Sequence, residues 1–295
     1  MRNKEKILRT LSSFVIIDFF QTKFIAMIRN IIISIVLTTL VVACAKNAVT
    51  GRSQFKLLPE SQLQSMATEQ YQQFLTTNKV VAPATSHDVE MVKRVGDRVR
   101  RAVESYYASK GLSKQLEGYH WEYNLVDNKE ANAWCMPGGK IVVYTGLLPY
   151  TQNEDALAVV IGHEVSHAIF QHGNERMSQQ LGTAVAGEGL NLALSNHPTE
   201  TRNLFMAAFG AGSQFGVLLP FSRKHELEAD HYGLIWAAMA GYNPREAIPL
   251  WQRMEAAGGG QRPPEFLSTH PSEGRRIDQL NKYMPEALKY YKPNG

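Results

Sequence analysis

The sequence predicts an α+β fold that is mostly helical and carries one small β-sheet. Apolar residues recur at three and four in Glu60–Leu75 and again in Ser86–Tyr107, where Val89, Val92, Val95, Val99 and Val103 form a helical stripe. Two strand-like runs, Trp121–Val126 and Lys140–Tyr144, follow, with Pro137, Gly138 and Gly139 as the turn before the second. From Asn153 to about Gln180 the helical pattern returns. Asn153 suits the cap, and Glu154 and Asp155 suit the positive end of the helix dipole.

Further along, Leu204–Phe221 contains no charge, but Gly210, Gly212, Gly216 and Pro220 interrupt it. A buried or lid-like segment is expected there, not a membrane span. Another helix is expected from about Arg223 to Ala240, stopped by Gly241, and Pro244 opens the next. Gly258, Gly259 and Gly260, with Pro263 and Pro264, mark a loop that leads to Ser268–Pro271.

At 295 residues the chain can bury a sizeable core, and one enzyme-sized domain is expected at 60–295. Its 44% hydrophobic and 20% charged residues exclude a disordered or collagen-like chain. The net charge of +4 is scattered instead of gathered into a stripe, so no nucleic-acid partner is inferred.

The N-terminus has two apolar runs, Leu11–Phe20 and Ile31–Val42, each shorter than the roughly 20 residues of a bilayer span. From Met27 the chain reads as a basic n-region with Arg29, an apolar h-region, and then Val41, Val42, Ala43 and Cys44, which is similar to a lipoprotein processing box. Residues 1–43 are thus expected to be a leader, Cys44 the lipidated residue, and 44–59 a polar tether. Residues 1–26 are either an extension upstream of a true start near Met27 or an extra anchor. By resemblance to bacterial lipoproteins, Ala45 after the cysteine, in place of Asp, favours the periplasmic face of a bacterial outer membrane. A plain N-terminal anchor, with Cys44 incidental, is the alternative. With Cys44 lipidated, Cys135 has no partner and no intrachain disulfide is expected.

His163, Glu164, Val165, Ser166 and His167 place two histidines four apart, so they project from one helix face about 40° apart and can grip one ion. Glu164 beside them is the candidate general base for a water on the metal. Catalytic zinc takes three protein ligands and leaves a position open, and Glu226 is the candidate third. Asp230, four residues on, shares its face and can accept from the other ring nitrogen of a ligand histidine. Glu228 points elsewhere and reads as a solvated acidic residue. His172 lies nine residues after His163, about 900° around the same helix, and no glycine turn intervenes. It is therefore rejected as a ligand.

Asn132, Ala133, Pro137, Gly138 and Gly139, the HExxH, Ser222 and Arg223 with Glu226–Asp230, and Ser268–Pro271 with Arg276 together resemble the M48 family of metallopeptidases. The likeness spans about Trp121 to Ile277 and is closest to the periplasmic and mitochondrial Oma1-like branch. It implies a zincin-like fold of the gluzincin type, with an edge strand beside the active-site helix. It further implies one Zn2+ held by His163, His167 and Glu226, with Glu164 as base. His270 would be a fourth ligand or gate; the alternative is a loop histidine satisfied by backbone groups. Asn132–Tyr144 would include the edge strand that pairs with an extended substrate, with Asn132, Ala133, Gly138 and Gly139 in it. Cys135 departs from the small or aliphatic residue usual there and is read as packing.

The expected activity is zinc-dependent endopeptidase cleavage of misfolded or stalled cell-envelope proteins. The alternative is a latent assembly factor that binds envelope proteins and works with their assembly machinery. Tyr232, His270 or Arg276 could supply the oxyanion donor.

Overall fold

In the computed structural model, residues 27–30, 44–82, 86–184, 198–209, 221–258, 264–271 and 276–293 are described. The leader apart from 27–30, and 210–220 of the charge-free run, lie outside them. Among the described residues no helix is long and apolar enough to cross a membrane. The chain divides into two compact units, a small one of residues 1–46 with 52–55 and a large one of 47–51 with 56–295. In the small unit, β1 (Cys44–Lys46) pairs antiparallel with β2 (Ser53–Phe55), Cys44 opposite Phe55.

The large unit opens with Leu57 N–H donating to Ser178 Oγ (2.8 Å) and Asn174 Nδ2 donating to Leu58 O (2.9 Å). Residues 57 and 58 are thus bonded into this unit, just ahead of α1 (Glu60–Thr77). Next comes α2 (His87–Ser109), whose valine stripe is fully buried as its spacing requires. The sheet contains β3 (Glu122–Val126), β4 (Ala133–Met136) and β5 (Lys140–Tyr144) in the order β3-β5-β4. β3 runs parallel to β5 and β4 antiparallel to it. Gly138 and Gly139 make the β4–β5 turn with φ of +78° and +80°, a region open to glycine at no steric cost. The small sheet expected from two strands therefore has three, with β4 at an edge.

Side chains alternate between two apolar clusters, one on each face of the sheet. Cys135, Ile141 and Val143 join α2, while Trp134, Met136, Val142 and Tyr144 join Leu63, Tyr71 and Phe74 of α1. Helix α3 (Leu148–Thr151) is one turn, and α4 (Glu154–Ile169) is the helix of the HExxH segment. Asn153 caps α4, its Oδ1 accepting from Ala156 N–H at 2.8 Å.

Helix α4 stops earlier than expected. Phe170 leaves helical geometry, Gln171 takes φ +57°, and α5 (His172–Ala184) starts afresh. The positive φ reorients the chain without a glycine. Helix α6 (Pro198–Ala208) absorbs the first part of the charge-free run, with Phe205 and Met206 buried. Helix α7 (Arg223–Met239) is capped by Ser222 and followed by Gly241 at φ +83°. A short 3-10 turn leads to α8 (Ala247–Gly258), then α9 (Glu265–Thr269) and α10 (Arg276–Ala287).

Candidate metal centre

Helices α4 and α7 meet where each carries a glycine. A Cβ on Gly162 would stand 2.7 Å from the Gly233 carbonyl oxygen, and one on Gly233 would stand 2.9 Å from His163 N. Only hydrogen fits in either place. Gly162 precedes His163, and Gly233 lies seven residues after Glu226, on nearly the same face of α7. The close crossing thereby sets the HExxH face of α4 against the carboxylates of α7.

His163, His167, Glu226 and His270 each offer a ligand atom there, all lying within 4.8 Å of one another and all buried. His163 Nε2 is 3.0 Å from His167 Nε2 and 3.2 Å from His270 Nδ1. Glu226 Oε1 is 3.0 Å from His270 Nδ1 and 3.4 Å from His167 Nε2, while Oε2 is 3.5 Å from His163 Nε2. Glu164 is equally buried beside them, its Oε1 being 3.4 Å from His270 Nε2 and lacking a hydrogen bond among the described residues. His270 follows α9 and is held by its own N–H, which donates to Phe266 O at 2.9 Å. Its ring stacks between Phe266 (4.3 Å) and Phe221 (5.1 Å).

The outer nitrogens of the two HExxH histidines are already engaged. His163 Nδ1 lies 3.0 Å from Asp230 Oδ1, and that carboxylate accepts two further bonds from Arg276, from Nη2 (2.6 Å) and Nε (3.1 Å). An acceptor-only carboxylate at that distance places the proton of neutral His163 on Nδ1, leaving Nε2 with a lone pair. His167 Nδ1 is likewise occupied, at 2.9 Å from His172 Nδ1. The two Nε2 atoms therefore face each other with lone pairs, beside a carboxylate. A divalent cation satisfies such a cluster, and the three-imidazole, one-carboxylate donor set suits a borderline metal such as zinc.

Charge distribution agrees with that fit. Burial holds His163 and His167 well below the usual histidine range, so both are neutral. Burial and the charge of Glu226 push Glu164 well above the carboxylate range, against the pull of Arg276 and Arg176. Burial would raise Glu226 too, but the neighbouring His270 and Arg276 outweigh it and hold its carboxyl well below the usual range. Asp230 is pushed up to about 6 by burial, partly offset by Arg276.

Other sequence-derived residues fall as follows. Asn132 and Ala133 are buried at the start of β4, next to Ala131, whose carbonyl accepts from Phe266 N–H at 3.0 Å. Asn132 Nδ2 has no hydrogen-bond partner among the described residues. Gly138 and Gly139 lie at the other end of β4, in the turn, and outside the metal cluster. Cys135 is buried and its thiol is pushed up by burial and by Glu164, which fits packing and not nucleophilic chemistry. Cys44 stands in β1.

Tyr232 is removed from the oxyanion candidates. Six residues after Glu226 it points away, packing on Phe170 and Trp236, and its hydroxyl is directed at Val49 O. Arg276 is committed to Asp230, to Glu226 Oε2 at 3.1 Å and to the His270 carbonyl at 3.2 Å. Glu228 is not a solvated residue: its Oε2 lies 2.9 Å from His172 Nε2. His172 stays outside the ligand set, though not on the far side of one continuous helix as expected, because α4 ends before it. Phe221, which stacks on His167 at 3.8 Å, gave no signal in the sequence beyond being an aromatic next to Ser222.

Comparison with known proteins agrees with the site. The model of peptidase family M48 matches residues 93–284. The fission-yeast mitochondrial metalloendopeptidase OMA1 is 34% identical over 67% of this chain and 59% of its own length. The Arabidopsis thaliana mitochondrial metalloendopeptidase OMA1 is 39% identical over 61% of this chain and 35% of its own. The Escherichia coli β-barrel assembly-enhancing protease is 31% identical over 55% of this chain and 34% of its own. The chain thus spans between about a third and three-fifths of the length of these relatives. With the family model covering most of the chain, and the HExxH histidines and Glu226 gathered at one point inside that region, the chain belongs to peptidase family M48.

Proposed function

We propose that this chain is a zinc-dependent endopeptidase, with one zinc held by His163, His167 and Glu226 and with Glu164 as general base. The carrying observation is the buried convergence of those three side chains, with the Nε2 atoms of His163 and His167 3.0 Å apart. Bound zinc supplies Lewis acidity to a carbonyl and to a water molecule. Glu164, one residue from His163 and with no hydrogen bond on Oε1 among the described residues, would take up the proton of the attacking water and return it to the leaving amine. Strand β4, at the sheet edge just after Asn132, is the proposed partner of an extended peptide, and since Ala133–Met136 are buried in this form the edge would have to be uncovered first. Asp230 fixes His163, and Arg276 fixes Asp230 in turn.

His270 defines a latent form. Its Nδ1 completes a four-donor set and its Nε2 stands 3.4 Å from Glu164 Oε1, so it fills the fourth position and crowds the base without bonding it. Withdrawal of His270 frees both. The same contact favours the second reading, an assembly factor with little proteolysis.

The proposed substrates are misfolded or stalled cell-envelope proteins, reached by a lipid on Cys44 after removal of residues 1–43. The relatives divide between mitochondrial and bacterial proteins, and the Val41–Cys44 box favours the bacterial envelope. Assembly machinery is a proposed partner by likeness to the Escherichia coli relative.

The test is casein cleavage by the purified protein, as wild type, Glu164→Gln and His270→Ala. Cleavage that rises in His270→Ala and is absent in Glu164→Gln supports the reading. Cleavage unaffected by Glu164→Gln contradicts it, and no cleavage by any variant favours the assembly factor.

A further inference from the structure

We infer that His172 and Glu228 form a relay that positions His167 from behind, a role separate from metal ligation; the inference rests on the metal-site reading above. His167 Nε2 points into the cluster, so in a neutral ring able to bind a cation there the proton resides on Nδ1. That nitrogen is 2.9 Å from His172 Nδ1, which must then accept. The proton of His172 therefore sits on Nε2, at 2.9 Å from Glu228 Oε2, an acceptor. Each donor in the chain from His167 through His172 to Glu228 has one acceptor, and no nitrogen is left in conflict.

The geometry around the relay is built, not incidental. His172 is fully buried, and its ring stacks on His225 with centroids 4.4 Å apart and planes 16° apart. His225 is held in turn by Glu175 at 3.0 Å. The ring meets His167 edge-on at 75°, an arrangement that the Gln171 break produces by starting α5 at His172. On α7, Glu226 faces the metal cluster, Asp230 holds His163, and Glu228 holds the residue behind His167. One helix thus supplies a carboxylate ligand and the outer support of both histidines. Such partners fix ring orientation and raise ligand basicity, and losing one typically weakens metal binding by about 10–100-fold.

The experiment measures zinc affinity of the full chain by competition with a chromophoric chelator. It is done on wild type, His172→Phe, His172→Asn, Glu228→Leu and Glu226→Gln, with the cobalt(II) absorption spectrum and the metal-free melting temperature recorded for each. His172→Phe keeps the ring volume and removes the acceptor; His172→Asn returns an acceptor to His167. The expected result is zinc binding weakened about 10–100-fold in His172→Phe, with an altered cobalt spectrum, and mostly restored in His172→Asn. Zinc binding by His172→Phe within twofold of wild type, or by His172→Asn as weak as by His172→Phe, overturns the relay. If His172→Phe does not fold, Glu228→Leu decides, and wild-type affinity there overturns it. Loss of zinc in Glu226→Gln with none in His172→Phe would sink the relay alone, whereas a wild type that binds no zinc removes the metal-site reading with it.

Discussion

Glu164 shows how much chemistry rests on single positions. Its carboxyl is buried, pushed upward by burial and by Glu226, and left without a hydrogen bond on Oε1 among the described residues. Because it sits beside the ligand face without joining it, Glu164→Gln should retain zinc while cleavage falls by about 10²-fold or more, measured as metal content and peptide hydrolysis on one sample. Retained cleavage would move the base elsewhere. His163, Glu164 and His167 were legible because their geometry is local: four residues of helix set the angle whatever the rest does. Glu226 and Asp230 were legible for the same reason once a second helix was granted. Glu228 and His172 were not, because their pairing depends on Gln171 taking a positive φ, which an amino-acid type that rarely does so gives no sign of.

Elements succeed or fail on how closely they can approach. The α4–α7 crossing depends on two hydrogens where any other residue has a carbon, so Gly233→Ala should force α7 away from His163. Overpacking of that kind costs about 1–3 kcal/mol and should also weaken zinc binding, read by denaturant unfolding and chelator competition. Unchanged values would mean the helices can separate without disturbing the ligands. Asn153→Ala, by contrast, removes the α4 cap and an exposed bond from Nδ2 to Glu246, and should cost about 1 kcal/mol with zinc affinity intact. Helices and strands were legible where periodicity was long, as in the α2 valine stripe. The third strand was not, since Ala133–Met136 is too short to show alternation and its pairing with β5 is set by the Gly138–Gly139 turn.

At the scale of the whole molecule, the sheet is covered on both faces, which is why β5 is apolar throughout Ile141–Tyr144. Glu60 is an exception to good burial: desolvation raises its carboxyl to about 7, against the pull of Lys56 and Gln64. A folded-state value above the unfolded one means that the folded chain binds the extra proton between about pH 4.5 and 7. Stability from this group is therefore greatest at the acid end of that window and is lost as pH rises through 7. Glu60→Gln should stabilise the protein by about 1–2 kcal/mol at pH 8 and by little at pH 4.5, measured by urea unfolding at both. Equal effects at the two values would place Glu60 in water.

Zinc content is the most direct measure of the account, taken by elemental analysis on the purified wild type and on Glu226→Gln. About one zinc per chain in the wild type and much less in Glu226→Gln is the expected result, since His163, His167 and His270 are then left as neutral donors with no carboxylate to offset the charge of the ion. Equal zinc in the two proteins would take Glu226 out of the site and contradict the account at its centre.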